Sequence, residues 1–264
     1  MTSSLNEIKS ISLALTNSNF EENKILLDNI CSEIASRFNL YQSNGKPHKS
    51  TIIETLAKST CLACVAKWFS DHVNNKVDTI YKECHKLAVN VLVEELYHFL
   101  NQLGYKVVIS TEEELEYGKA DILIEVTNYG LNLKSKAKEL LIEVKTGDSL
   151  SLIQIFRYLW DSRSNAIVVW RVRKRQVLTF DPQKIEPLLT ESMRMICLRG
   201  IRLLSSPQIH SCQHLARATH QPAATELELM FQDFAKAIIE TLPSVLQRVL
   251  EQLAINKTGV VGQT

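Results

Sequence analysis

No long uncharged apolar run occurs in the sequence, so nothing in it reads as a membrane span. The opening residues, Met1-Thr2-Ser3-Ser4-Leu5-Asn6-Glu7, lack the basic segment and apolar stretch of a secretory signal, and an intracellular, cytoplasmic protein is expected. An excess of one charge is also missing. With 30 Lys and Arg against 29 Asp and Glu, the net charge of +1 leaves partner choice to local patches rather than to the average. Cysteine is sparse, six in 264 residues, which argues against a disulfide framework. Cys61-Leu62-Ala63-Cys64 has metal-ligand spacing, and Cys31 and Cys84 could complete a set. Its apolar, helical surroundings favour the plainer reading of cysteine as a small hydrophobe. No internal repeat is visible. What remains is ordinary for a globular protein, 45% apolar and 22% charged, and long enough for one sizeable core with a small appended domain.

Periodicity divides the chain. Residues 1–78 read as a helical N-terminal region, with a short helix at Glu7 to Leu15 and a longer one at Glu21 to Phe38. The longer helix carries Ile25, Leu26, Ile30, Ile34 and Phe38 on one stripe. Asn44-Gly45-Lys46-Pro47 breaks the pattern, and Ser50 or Thr51 is the expected N-cap of the next helix, with Glu54 near the capping-box position. Leu56 to Trp68 faintly resembles a helix-turn-helix. Tyr81 to Leu103 is an amphipathic helix closed by Gly104, its expected buried stripe being Ala88, Leu92, Leu96, Phe99 and Leu103. Strands follow at Tyr105 to Thr111, Ala120 to Val126 and Glu139 to Thr146. A helix at Leu150 to Trp160 then leads to strands at Ala166 to Val172 and Gln176 to Phe180. Residues 183–256 are helical again, with Thr225 to Leu253 carrying a long apolar stripe suited to the core or to a second subunit. Pro207 to Pro222, with His210, His214 and His220, reads as a loop, and 257–264 as a disordered tail.

Charges fall oddly on two of these strands, Gly118-Lys119-Ala120-Asp121-Ile122-Leu123-Ile124 and Leu140-Leu141-Ile142-Glu143-Val144-Lys145-Thr146-Gly147. Alternation puts Glu143 and Lys145 on one face and Ile142 and Val144 on the other. If the two strands pair as a hairpin through Thr127 to Lys138, Asp121 falls directly or diagonally opposite Glu143 and Lys145. Two carboxylates that close repel unless one is protonated or a cation lies between them, and a hard cation with oxygen ligands is the natural remedy. A lysine alongside is a compact charge for a phosphate or an attacking water. The combination points to metal-assisted phosphodiester hydrolysis.

Gly118-Lys119-Ala120-Asp121 and Glu143-Val144-Lys145 resemble the second and third motifs of the PD-(D/E)XK nuclease superfamily. Gln154-Ile155-Phe156-Arg157-Tyr158 is similar to the Q-x-x-x-Y element of its RecB-type branch. Ala120 stands where the family has proline. The resemblance covers the middle third, Tyr81 to Phe180, and implies a restriction-endonuclease-like αβββαβ core over 79–182 with N- and C-terminal helical additions. It implies Mg²⁺ or Mn²⁺ held by Asp121, Glu143 and the Val144 carbonyl, with Lys145 orienting the attacking water and Gln154 and Tyr158 positioning the substrate strand. The family's first motif is an acid on the preceding helix. Glu95 is the candidate for it, as a further metal ligand, with Glu94 in reserve and His85 a rival, because RecB-type members place a histidine there.

DNA is the expected partner, RNA being open. Arg171, Arg173, Lys174 and Arg175 on one strand turn are the leading phosphate contacts, with Arg194, Arg199 and Arg202 on a later helix and Lys134, Lys136 and Lys138 between the motif strands. The expectation is therefore a metal-dependent deoxyribonuclease of repair or defence, with a homodimer through the C-terminal helices open. The alternative is an inactive nuclease fold serving as a nucleic-acid-binding or assembly module.

Overall fold

β-Branched and Leu-rich runs between Lys106 and Phe180, each ended by polar or turn residues, fold into one five-stranded mixed sheet in the order β1-β2-β3-β4-β5. The computed structural model describes residues 19–58, 79–127, 138–161, 166–205 and 224–258. The strands are β1 (Lys106–Leu115), β2 (Gly118–Thr127), β3 (Lys138–Lys145), β4 (Ile167–Arg171) and β5 (Gln176–Phe180). Six helices stand among the described residues: α1 (Phe20–Phe38), α2 (Lys49–Lys58), α3 (Thr79–Gln102), α4 (Leu152–Leu159), α5 (Pro182–Ser205) and α6 (Ala224–Thr258). The short helix at Glu7 to Leu15, Cys61 and Cys64 with most of the helix-turn-helix-like stretch, Lys134, Lys136, the three histidines from His210 to His220 and the last six residues lie outside the described residues.

All neighbouring strands are antiparallel except β3 and β4, which run parallel and are joined through α4, because a parallel pair needs a crossover rather than a tight turn. Alternate residues of the central strands (Ile122, Ile124, Val126, Leu140, Ile142, Val144, Val168, Trp170) face a core shared with Ala88, Leu92, Leu96 and Leu100 of α3. Phe234, Ala237, Ile238, Val245 and Val249 of α6 complete it. The Trp170 indole buried in it is matched: its Nε1 donates to Thr241 Oγ1 at 2.8 Å, and Thr241 Oγ1 donates to the Ala237 carbonyl at 2.6 Å. α4 packs against β2 and β4. α3 ends in a Schellman turn. Gly104 takes a φ of 77°, its N–H donates to the Asn101 carbonyl, and the Tyr105 N–H donates to the Leu100 carbonyl at 2.9 Å.

The chain divides into two compact units that do not follow sequence order: residues 1–75 with 185–218, and residues 76–184 with 219–264. The helices after Asp181 therefore separate, α5 belonging mainly to the first unit and α6 to the second. The first unit packs Leu27, Ile30, Ile34, Ile52, Ile53, Met193 and Ile196 into its own core. Gly200 is required there by close approach, since a Cβ at that position would run into Ile30 Cγ2. A capping box between Asn19 and Glu22 opens α1.

Three local expectations are corrected. Ile25 is 63% exposed, and the buried stripe of α1 runs instead through Leu27, Ile30, Cys31, Ile34 and Ala35. Leu103 is exposed and Leu100 buried, because the helix stops at Gln102 and Leu103 belongs to the turn. Ser50 and Thr51 lie inside α2, which starts at Lys49 with the Ile52 N–H bonded to the His48 carbonyl, so neither can be its N-cap. Among the described residues no helix is long and apolar enough to cross a membrane.

Candidate active site at the splayed end of two strands

The β2–β3 ladder pairs Ile122 with Ile142 and continues to Val126 with Lys138, but goes no further toward Asp121. On the other side, the β1–β2 ladder skips Glu112 and Asp121, where Glu112 adopts a left-handed φ of 55°. Asp121 is thus the point at which β2 is paired on neither side. The chain there behaves as at a β-bulge, where interrupted pairing re-aims a side chain. The N–H of Val144, no longer taken by a ladder partner, donates to Asp121 Oδ2 at 2.7 Å. A strand residue's N–H and C=O project to the same edge, so the Val144 carbonyl also points into the gap.

Around this gap lies a cleft of about 410 Å³, lined by His85, Asp121, Glu143, Val144, Lys145, Thr146, Gly147, Ser149, Ser151 and Gln154. His85, on the first turns of α3, bonds Asp121 Oδ1 through Nε2 at 3.0 Å. Glu143 is 2% exposed; its Oε1 meets Lys145 Nζ at 2.5 Å and Gln154 Nε2 at 2.7 Å, whereas its Oε2 is buried with no hydrogen-bond partner. Lys145 Nζ also donates to Gln154 Oε1 at 2.7 Å. Because an ammonium only donates and a carboxylate only accepts, the two neighbours fix which way the Gln154 amide points. Gln154 Nε2 further donates to Tyr158 Oη, and that hydroxyl donates to the Lys119 carbonyl, both at 2.7 Å. One network therefore ties α4 to both motif strands. Gly118 makes room for it: a Cβ there would stand 2.6 Å from Tyr158 Cε1.

Burial pushes the Glu143 carboxyl up, to about 7, the Asp121 charge adds to the rise, and Lys145 opposes it. The hydrogen bond to Asp121 raises His85 above the ordinary imidazole value, partly offset by burial. Burial and the Glu143 charge raise Tyr158, which stays a neutral phenol.

Of the residues singled out from sequence, Asp121, Glu143, Val144, Lys145 and Gln154 meet at the cleft. Tyr158 is buried and lines no part of it; it bears on the cleft from behind, through its hydrogen bond from Gln154 and its charge interaction with Glu143. Glu95 and Glu94 are exposed and line no part of it either. Glu95 stands ten residues beyond His85, about 15 Å along the helix axis, and it is His85 that lines the cleft and bonds Asp121. Arithmetic could have found this. Counting back from Gly104, His85 is about 28 Å up the helix and Glu95 about 14 Å. Glu112, beside Asp121, is about 26 Å up β1. Only His85 is level with the acid.

The basic clusters also resolve. Arg175 is held by Asp233 at 2.8 Å and Glu240 at 2.7 Å. Arg194 pairs with Glu191, and Arg199 donates to the Leu56 and Ala57 carbonyls at the end of α2. Cys31, Cys84 and Cys197 are buried free thiols. Among the described residues no group of three or more His, Cys, Asp or Glu is gathered closely enough to hold a metal on its own. Compared with known protein families, curated proteins and solved structures, the chain matches none. Fold and cleft together define a mixed α/β protein with a polar, carboxylate-bearing cleft at one end of its sheet.

Proposed function

We propose that the chain is a metal-dependent nuclease hydrolysing DNA phosphodiester bonds at this cleft, on a restriction-endonuclease-like core. One observation carries the reading: Asp121, the unpartnered Glu143 Oε2 and the Lys145 ammonium converge where two strands part. A buried carboxylate oxygen without a donor is a strong local demand for a cation. The element order supports the same reading, helix, three antiparallel strands, helix, then a strand parallel to the third, as do Gly118 to Asp121 and Glu143 to Lys145 in their resemblance to the PD-(D/E)XK motifs.

The donor set fits Mg²⁺ or Mn²⁺. Mg²⁺ is commonly held by one or two carboxylates with substrate phosphate and water rather than by an all-protein cage, so three clustered ligands are not required. Asp121, Glu143 and the Val144 carbonyl would hold it, and bound there it would polarise the phosphoryl oxygen and lower the pKa of water. The protein's own groups do the rest. Lys145 orients the attacking water and offsets negative charge building on the phosphate. Gln154 keeps the Lys145 ammonium in place and presents its amide at the cleft, while Tyr158 fixes Gln154 from below. His85 holds Asp121 and offsets part of its charge.

Mg²⁺-dependent cleavage of plasmid and single-stranded DNA is the test. Lys145→Ala is expected to lower it about 100-fold or more, and cleavage indifferent to that substitution would end the proposal. A second reading, an inactive nuclease fold serving as a nucleic-acid-binding or assembly module, is favoured by one feature. Both oxygens of Asp121 and one of Glu143 are already bonded within the protein. Salt-sensitive DNA binding with no response to divalent ions would support it.

A further inference from the structure

The β4–β5 turn, residues 172–175, carries three cations, and Arg171 at the end of β4 supplies a fourth; the structure gives the four different work. The turn is tight, the Arg175 N–H bonding the Val172 carbonyl at 3.0 Å, and Arg175 sits at a left-handed φ of 50°. Its guanidinium is turned to α6, between Asp233 and Glu240. Arg171 reaches the other way and donates to the Asp148 carbonyl at 2.7 Å, steadying the loop 146–151 that supplies four cleft residues. Arg173 and Lys174 do something else. Both face the Asp148 carboxylate, at 3.7 and 3.4 Å, and Asp148 is 58% exposed on the same loop, between Gly147 and Ser149 of the cleft wall.

An exposed carboxylate shared by two long cationic side chains at those distances is a weak, exchangeable contact. Its oxygens offer the cations what a phosphodiester oxygen would offer, an anion at the mouth of a cleft. We infer that Arg173 and Lys174 are the contacts for a backbone phosphate flanking the bond to be cut, and that Asp148 is an internal competitor occupying them until a polynucleotide displaces it. The inference rests on the nuclease reading for the word "flanking", but the exchange itself requires only that nucleic acid binds. It also separates the two cations that contact substrate from the two, Arg171 and Arg175, that build the turn and loop.

The experiment is fluorescence anisotropy with the full chain in EDTA, where nothing is cleaved, using one sequence as single-stranded DNA, duplex DNA and RNA over a range of salt. Asp148→Asn should tighten binding about three- to ten-fold, because it removes a competing anion and a repulsive charge together. Arg173→Gln with Lys174→Gln should weaken it and flatten the dependence of log Kd on log salt by about 1.5 to 2, as expected for two lost phosphate contacts. Arg175→Gln, a change of the same charge in the same turn, should leave Kd within about two-fold. Melting temperatures of the variants confirm that each is folded. The arm that binds best identifies the polymer. The inference is overturned if Asp148→Asn binds no tighter than the parent, if the double variant keeps the parent's salt slope, if Arg175→Gln weakens binding as much as the double variant, or if no arm binds. Cleavage with Mg²⁺, measured alongside, keeps the claims apart: tightening by Asp148→Asn without cleavage would sustain the exchange and remove the nuclease, and cleavage without tightening the reverse.

Discussion

The same two strands, β2 and β3, are zipped over one half and parted at the other. From Ile122 with Ile142 to Val126 with Lys138 the backbone is paired residue by residue, and Ile122, Ile124, Leu140 and Ile142 are buried in the core. At Asp121 the pairing with β3 has ended and that with β1 skips one residue, and the side chains become carboxylate, ammonium, amide and imidazole. The zipped half pairs its backbone residue by residue and buries its apolar side chains against helices. The parted half leaves a buried carboxylate oxygen unmatched. On the proposed function, stability and chemistry fall to neighbouring stretches of one strand pair, and substitutions on the two sides should behave differently.

The largest expected effect lies on the zipped side. Ile142→Ala empties space in a closed core and should destabilise the fold by about 2–5 kcal/mol by denaturant titration, with cleavage per folded molecule retained. Across the boundary, Lys145→Ala should leave a folded protein that cuts DNA about 100-fold or more slowly in single-turnover assays. A single substitution that did both would break the division.

A smaller test concerns the buried bond behind the sheet. Thr241→Val leaves Trp170 Nε1 without its acceptor and should lose about 1–3 kcal/mol of stability with unchanged cleavage. Next comes pH. The Glu143 carboxyl is raised by burial, so folding favours its protonated form. Its contribution is fully present below about 4.5, the unfolded value, and is lost as pH rises through about 7. His85, also raised, contributes stability below its unfolded value of about 6.5 that is lost as pH rises through its higher folded value. In EDTA the melting temperature should therefore fall between about pH 5 and pH 8, and Glu143→Gln should flatten the lower part of that fall. A slope identical in parent and variant would mean that Glu143 does not titrate there.

Much of this contrast was legible in the sequence, because a period of two is unforgiving. Once Ile142 and Val144 face a core, Glu143 and Lys145 must face away, and the Ile122 with Ile142 register brings Asp121 beside them. Gln154 and Tyr158, one helical turn apart, follow from the same kind of rule. Other features were hidden for physical reasons. A helical wheel gives the face of a residue but not its height, so it cannot tell the candidate Glu95 from its rival His85, whereas strand and helix lengths can. Apolar stripes show that α5 and α6 bury something, not which unit each joins. A run of cations likewise conceals its partners. Arg175 meets Asp233 and Glu240 from about sixty residues away, and only coordinates separate it from Arg173 and Lys174.

The most direct measurement is the melting temperature of the parent and of Asp121→Asn during titration with Mg²⁺ and Mn²⁺ at pH 7.5. If the parted strands hold a divalent ion, the parent should gain about 2.7 kcal/mol at one hundred times the dissociation constant, and Asp121→Asn should lose most of that gain. A parent whose melting temperature ignores millimolar concentrations of both ions would contradict the central claim.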